Sequence, residues 1–140
     1  MDRSSVFLDT SVLVAALLSD TGGSSYLLTV LKDKFTFHTN GYVLAELEHV
    51  LDSKFARQAV LYTKLFLILG VAKVVVWPYP PKPSLIPLKK IISEKDAPIL
   101  AGALAGSDYL LTLDNEFFND RVVTYARQRK LEIVKPKDLI

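Results

Sequence analysis

Asp9 interrupts the apolar run SSVFLDTSVLVAALL, and Asp114 closes a second one, YLLTLD. A carboxylate in apolar surroundings is costly unless it is paired, protonated or held by a cation. Each acid stands where a short apolar strand would end, and each is followed by small or polar residues, "TS" after Asp9 and "N" after Asp114. In a parallel sheet both strand ends face one edge. If the two strands are neighbours, the carboxylates come close and repel, which raises their pKa unless a cation holds them. A hard divalent ion with oxygen ligands does this. Taken singly, each acid also serves as a cap, Asp9 for the amides of TSVL and Asp114 for a turn with Asn115.

Two further acids can reach the same edge. Asp96 is placed to cap the helix KDAPILAGALAG, with Pro98 in its first turn. A helix N-terminus favours anions at a sheet edge. In YVLAELEHVL the stripe Val43, Leu44, Leu47, Val50 and Leu51 is apolar, and Glu46 and Glu48 flank it on opposite sides. Helical periodicity leaves the choice between them open.

Other chemistries lack their residues. The chain has no cysteine, hence no disulfide or thiolate site. It has no GxxxxGK[ST] loop, no GxGxxG fingerprint and no GxSxG elbow, so a nucleotide cofactor is not expected. An aspartyl phosphatase would want a second Asp two residues after Asp9, where Ser11 stands. His38 falls in an alternating strand and His49 on a helix, and both read as structural or surface residues.

The elements that must position the acids alternate. VFLDT, FTFHT, AKVVVW, YLLTL and EIV read as strands. SVLVAALL reads as a helix broken by DTGG. Ser24 or Ser25 is placed to cap a helix through YLLTVLKDK, and Asn40 one through YVLAELEHVL. FARQAVLYTKLFLIL reads as a longer helix stopped by Gly70, APILAGAL as one ended by Gly106, and DRVVTYARQRK as a last one before a closing turn, PKDLI. Five of the seven prolines lie from Pro78 to Pro87. That density excludes an interior helix or a central strand and predicts a stiff surface loop before a helical turn, LKKII. Strands alternating with helices imply an α/β fold: a parallel sheet of four to five strands with helices on both faces. Ligands then bind beyond the carboxyl ends of the strands.

At 140 residues, half of them apolar, the chain suits one domain, residues 1–140. No apolar run reaches the roughly 18 residues of a membrane span, and no signal peptide is read, so a cytoplasmic protein is expected. Net charge is +2, too small to name a partner by itself. Ten basic residues from Lys82 to Lys137 nevertheless lie in the second half.

VFLDTSVLVAALL, then VLAELEHVL, then DAPILAGALAGSDYLLTLDNEFF resemble, in this order, the PIN-domain family, which includes the VapC-type ribonuclease toxins. The resemblance spans nearly the whole chain. It implies that Asp9, Glu46, Asp96 and Asp114 are the catalytic, metal-holding acids, so Glu46 is chosen over Glu48 by similarity. It further implies supporting roles for Thr10, Ser11 and Thr112, and for Asn115 and Glu116 after Asp114, where related sequences often carry a further Asp at the second position. The implied cofactor is one or two Mg2+ or Mn2+ ions. The implied reaction is hydrolysis of RNA to a 5′-phosphate and a 3′-hydroxyl, by the toxin of a toxin–antitoxin pair. The expected partners are an RNA substrate, an antitoxin protein and a second copy of the chain, for which YTKLFLIL offers an apolar face. The alternatives are a PIN-fold module that binds RNA or protein without cutting, and a housekeeping RNA-processing nuclease.

Overall fold

A computed structural model describes residues 3–140. Its centre is β1 (Ser4–Leu8), whose Val6, Phe7 and Leu8 are wholly buried, as a run apolar on both faces requires. The chain continues through α1 (Thr10–Leu18), α2 (Gly23–Thr29), β2 (Phe35–Asn40), α3 (Gly41–Lys54), α4 (Ala59–Val71) and β3 (Val75–Trp77). It then passes α5 (Lys82–Leu85) and α6 (Ala97–Leu104) to β4 (Tyr109–Leu111), α7 (Asp120–Gln128), β5 (Glu132–Val134) and α8 (Pro136–Leu139). All strand pairs are parallel, in the order β3-β2-β1-β4-β5, and helices flank the sheet on both faces.

The order decides where a site can form. From β1 the chain winds outward through β2 and β3, then returns across the sheet to β4 and winds outward the other way. Connections of one hand therefore place their helices on opposite faces on either side of β1, and a crevice opens between β1 and β4 at their carboxyl ends. The register pairs Leu8 with Leu111. The ladder runs one step further, with Asp9 N–H donating to Leu111 O at 3.1 Å and Thr112 N–H to Val134 O at 3.0 Å.

Several local expectations are corrected. Ser24 and Ser25 are not caps: α2 starts at Gly23 after an N-cap Gly22, and both serines are buried within it. The helix stops at Thr29, and Lys32–Lys34 forms a separate turn of 3-10 helix. Residues 55–58 do not open α4. Ala56 and Arg57 both take left-handed φ, 51° and 50°, which turns the chain between α3 and α4. Gly70 lies inside α4, and the reversal falls on Lys73 at φ 52°, with Val74 N–H donating back to Leu69 O at 3.0 Å. Gly106 does not end α6 through a left-handed turn either: the helix closes at Leu104, with Ser107 N–H returning to Ala103 O. The proline segment is not wholly loop. Pro83 sits in the first turn of α5, where its missing N–H costs nothing, and Ile86–Lys90 continues as 3-10 helix.

Candidate functional site

Asp9 is 3% exposed and sits one residue beyond β1. Its Oδ1 accepts Thr10 N–H at 2.7 Å, and its Oδ2 accepts Ser11 Oγ at 2.8 Å and Thr112 Oγ1 at 2.6 Å. Helix capping and cleft lining are thus both true of this residue. Thr112, wholly buried, is brought opposite Asp9 by the β1–β4 register, and its hydroxyl also accepts Asp114 N–H at 3.0 Å. One hydroxyl therefore orients the acids of two strands. Burial pushes the Asp9 carboxyl up; its three hydrogen bonds oppose this, and the Glu46 charge adds to it.

Glu46 enters from α3. Asn40 fixes that helix by accepting Val43 N–H at 3.0 Å, and its amide donates to Pro98 O of α6 at 3.2 Å. This one side chain ties the helix bearing Glu46 to the helix that Asp96 precedes. Glu46 accepts Thr10 Oγ1 at 2.5 Å. Glu48 lies 200° further round the helix and is exposed.

Asp96, 2% exposed, occupies the N-cap position of α6 but makes no capping bond, so the capping expectation fails for its side chain. Its carboxylate instead accepts Ser93 Oγ at 3.0 Å and turns toward Asp114 and Glu116. Ligand oxygens of Asp96, Asp114 and Glu116 all lie within 4.8 Å of one another. Burial, then a hydrogen bond with Glu116, pushes the Asp96 carboxyl up to about 7; Ser93 opposes this, and the charges of Asp114 and Glu116 reinforce it.

Asp9, Thr10, Ser11, Glu46, Asp96 and Asp114 line one cleft of about 330 Å³, together with His49, Ser53, Lys54 and Lys95. Asp9 and Glu46 share the cleft without joining the tight trio of Asp96, Asp114 and Glu116. Glu116 is exposed and faces a neighbouring recess with Ser93 and Asn119. Asn115 is exposed in the 3-10 turn Asn115–Phe118, and no side-chain hydrogen bond among the described residues draws it into the cleft.

The donor set suits a hard divalent cation. It is all oxygen, and among the described residues no lysine or arginine pairs with any of the five acids. Sequence reasoning missed Ser93, whose only signal is its place one helical turn before Asp96, and the second bond of Asn40, which has no signal short of the fold. His38 is structural, bonded to Ser5 Oγ at 3.0 Å and stacked on Trp77 at 4.2 Å.

A PIN-domain family model matches residues 5–116. No curated protein matches the chain. Among solved structures, a chain of VapBC2 from Rickettsia felis, bound to a DNA fragment from their promoter, is similar at TM-score 0.66 and 20% identity, covering 94% of this chain and 98% of that one. A domain of a functionally unknown protein from Methanocaldococcus jannaschii is similar at TM-score 0.51 and 18% identity, covering 95% and 91%. The match over residues 5–116, on a sheet that carries its acids at the β1–β4 switch point, makes this chain a member of the PIN-domain family.

Proposed function

We propose that this protein is a divalent-metal-dependent endoribonuclease, the VapC-like toxin of a toxin–antitoxin pair. The observation that carries the reading is the convergence of Asp9, Glu46, Asp96 and Asp114, distant in sequence, on one cleft where, among the described residues, no lysine or arginine forms an ion pair with any of them. Asp9, Asp96 and Asp114 are the residues to hold Mg2+ or Mn2+, with Glu116 beside Asp96 and Asp114 and with Glu46 as a further ligand or as the group that positions the attacking water. When bound, such an ion supplies Lewis-acid polarisation of the scissile phosphate and a water of lowered pKa. Thr112 and Ser11 hold the Asp9 carboxylate at a fixed angle, and Thr10 does the same for Glu46. Lys54 and Lys95, on the cleft wall, offset part of the repulsion a phosphodiester meets there.

A housekeeping nuclease would use the same cleft, and genome context separates it from a toxin. A neighbouring gene for a small DNA-binding antitoxin supports the toxin reading; expression that leaves growth unchanged counts against it. A protein partner or a second copy has a surface to cover. Phe66 and Leu67 of α4 are 68% and 63% exposed, whereas Leu65 and Ile68 serve the core. Among the described residues no single helix is long and apolar enough to cross a membrane.

A second reading, a module that holds RNA without cutting it, draws on Asp9, whose oxygens already accept three hydrogen bonds. Incubating the protein with a structured RNA, with and without Mn2+, tests the first. Metal-dependent cleavage abolished by EDTA supports it, and intact RNA under every divalent ion favours the module.

A further inference from the structure

A second, larger crevice of about 490 Å³ lies between the proline segment and α6. Its walls are Trp77, Tyr79 and Tyr125, several prolines, and the exposed end of α6 at Ala105. We infer that this crevice seats an unpaired base of a single-stranded RNA whose backbone continues into the carboxylate cleft, an inference that rests on the nuclease reading and names its substrate as single-stranded at that point.

Three observations carry it. The first is shape: aromatic faces around a space of this size accept a planar, apolar-faced group, and base–aromatic stacking is the common device for single strands. One face of Trp77 is already covered by His38, while Tyr79 is 59% exposed at the mouth.

The second is continuity with the cleft. Both spaces are walled by α6 and its N-terminal approach: Asp96 borders the cleft, and Ala101, Gly102 and Ala105 border the crevice. Tyr42 bridges them. Its hydroxyl donates to Lys95 O at 2.7 Å, next to Asp96, and its ring meets Tyr79 edge-on at 6.3 Å.

The third is charge. Residues 78–95, which wall the crevice and lead to the cleft, carry Lys82, Lys89, Lys90 and Lys95 against Glu94 alone. Lys89 pairs with Glu94 at 3.7 Å, and among the described residues Lys82, Lys90 and Lys95 form no ion pair. An apolar pocket walled by a segment that carries three unpaired lysines suits a polyanion with aromatic bases better than it suits an apolar peptide. A base stacked in a duplex does not reach such a pocket, so the strand must be unpaired there.

Trp77 is the only tryptophan in the chain, so the emission comes from one wall of this crevice. The test uses the full chain carrying Asp9→Asn, which keeps the RNA intact, and titrates an eight-nucleotide single-stranded oligoribonucleotide, the same oligomer with abasic sites, and the corresponding duplex. The expected result is saturable quenching by the single strand, at least about tenfold weaker for the abasic oligomer and the duplex. Tyr79→Ala should weaken single-strand binding about tenfold. Ala105→Phe, at an exposed helix end, should abolish quenching with circular dichroism unchanged. Lys82→Ala and Lys90→Ala should each lower the slope of log affinity against log salt by about 0.7. Binding by anisotropy with Trp77 emission unchanged overturns the inference, as does equal affinity for the duplex. A Trp77 response to an apolar peptide but not to the oligomer also overturns it and marks a protein-docking pocket. The readout needs no turnover: wild type that cleaves RNA without engaging Trp77 sinks this inference alone, and quenching without cleavage by wild type sinks the nuclease reading alone.

Discussion

The two crevices share a wall and differ in almost everything else. The one at the β1–β4 switch point is the smaller, about 330 Å³, and is lined by carboxylates and hydroxyls. The one beside the proline segment is about 490 Å³ and is lined by rings and small apolar side chains. Size and apolarity alone would choose the larger as the ligand site. Charge chemistry chooses the smaller, because there acids from four distant stretches face one space and, among the described residues, none is ion-paired to a lysine or arginine. The first is arranged to hold a charge and the second to hold a surface.

The sharpest way to break that division is Asp9→Asn. Activity should fall by more than about a hundredfold, since losing an outer partner alone costs roughly 10- to 100-fold. Trp77 emission and the circular dichroism spectrum should stay as in wild type. A shift in Trp77 emission would show that the crevices are not independent. Thr112→Val is the next largest. It removes the hydroxyl that bonds Asp9 Oδ2 and accepts Asp114 N–H, so metal affinity by calorimetry should drop about 10- to 100-fold. Unfolding in urea should show a loss of about 1–3 kcal/mol.

Gly102→Ala tests the shared wall itself. A methyl there would meet Asn40 Nδ2 at 2.5 Å and the Phe7 ring at 2.6 Å. Overpacking of this kind costs about 1–3 kcal/mol, which outweighs the up to ~1 kcal/mol an alanine gains in a helix. Urea denaturation should show a net loss; an unchanged midpoint would mean that Asn40 does not lock α3 to α6.

A different kind of effect is on pH dependence. Burial, then the hydrogen bond with Glu116, pushes the folded Asp96 carboxyl from its ordinary 3.8 up to about 7, and burial shifts Asp9 the same way. The native state therefore binds more protons than the unfolded chain in that interval. Metal-free protein should be most stable below about pH 4 as far as these groups are concerned, and should lose that contribution as pH rises toward 7. Asp96→Asn should flatten the profile measured by urea denaturation, and a profile that stays steep would move the shifted group elsewhere.

The strand-end acids were legible because a carboxylate after an apolar strand has few inexpensive explanations, and the parallel sheet followed from the alternation of strands and helices. Thr112 and Glu46 were legible only through resemblance. Glu46 and Glu48 are equivalent by periodicity, and it takes the contact between α1 and α3, seen in the Thr10–Glu46 bond, to separate them. Helix ends were misplaced where the reversal fell on non-glycine residues, at Ala56, Arg57 and Lys73. The aromatic crevice had no sequence signal, because it forms only when the proline segment folds back along α6.

The nuclease reading requires that separated acids share a divalent cation in one cleft. Calorimetric titration of Mn2+ at pH 7.5 into wild type, Asp9→Asn and Asp114→Asn tests it without relying on any RNA. Binding should saturate in wild type and weaken at least about tenfold in each variant. Absence of binding to a folded wild type, or binding that neither substitution changes, would contradict it.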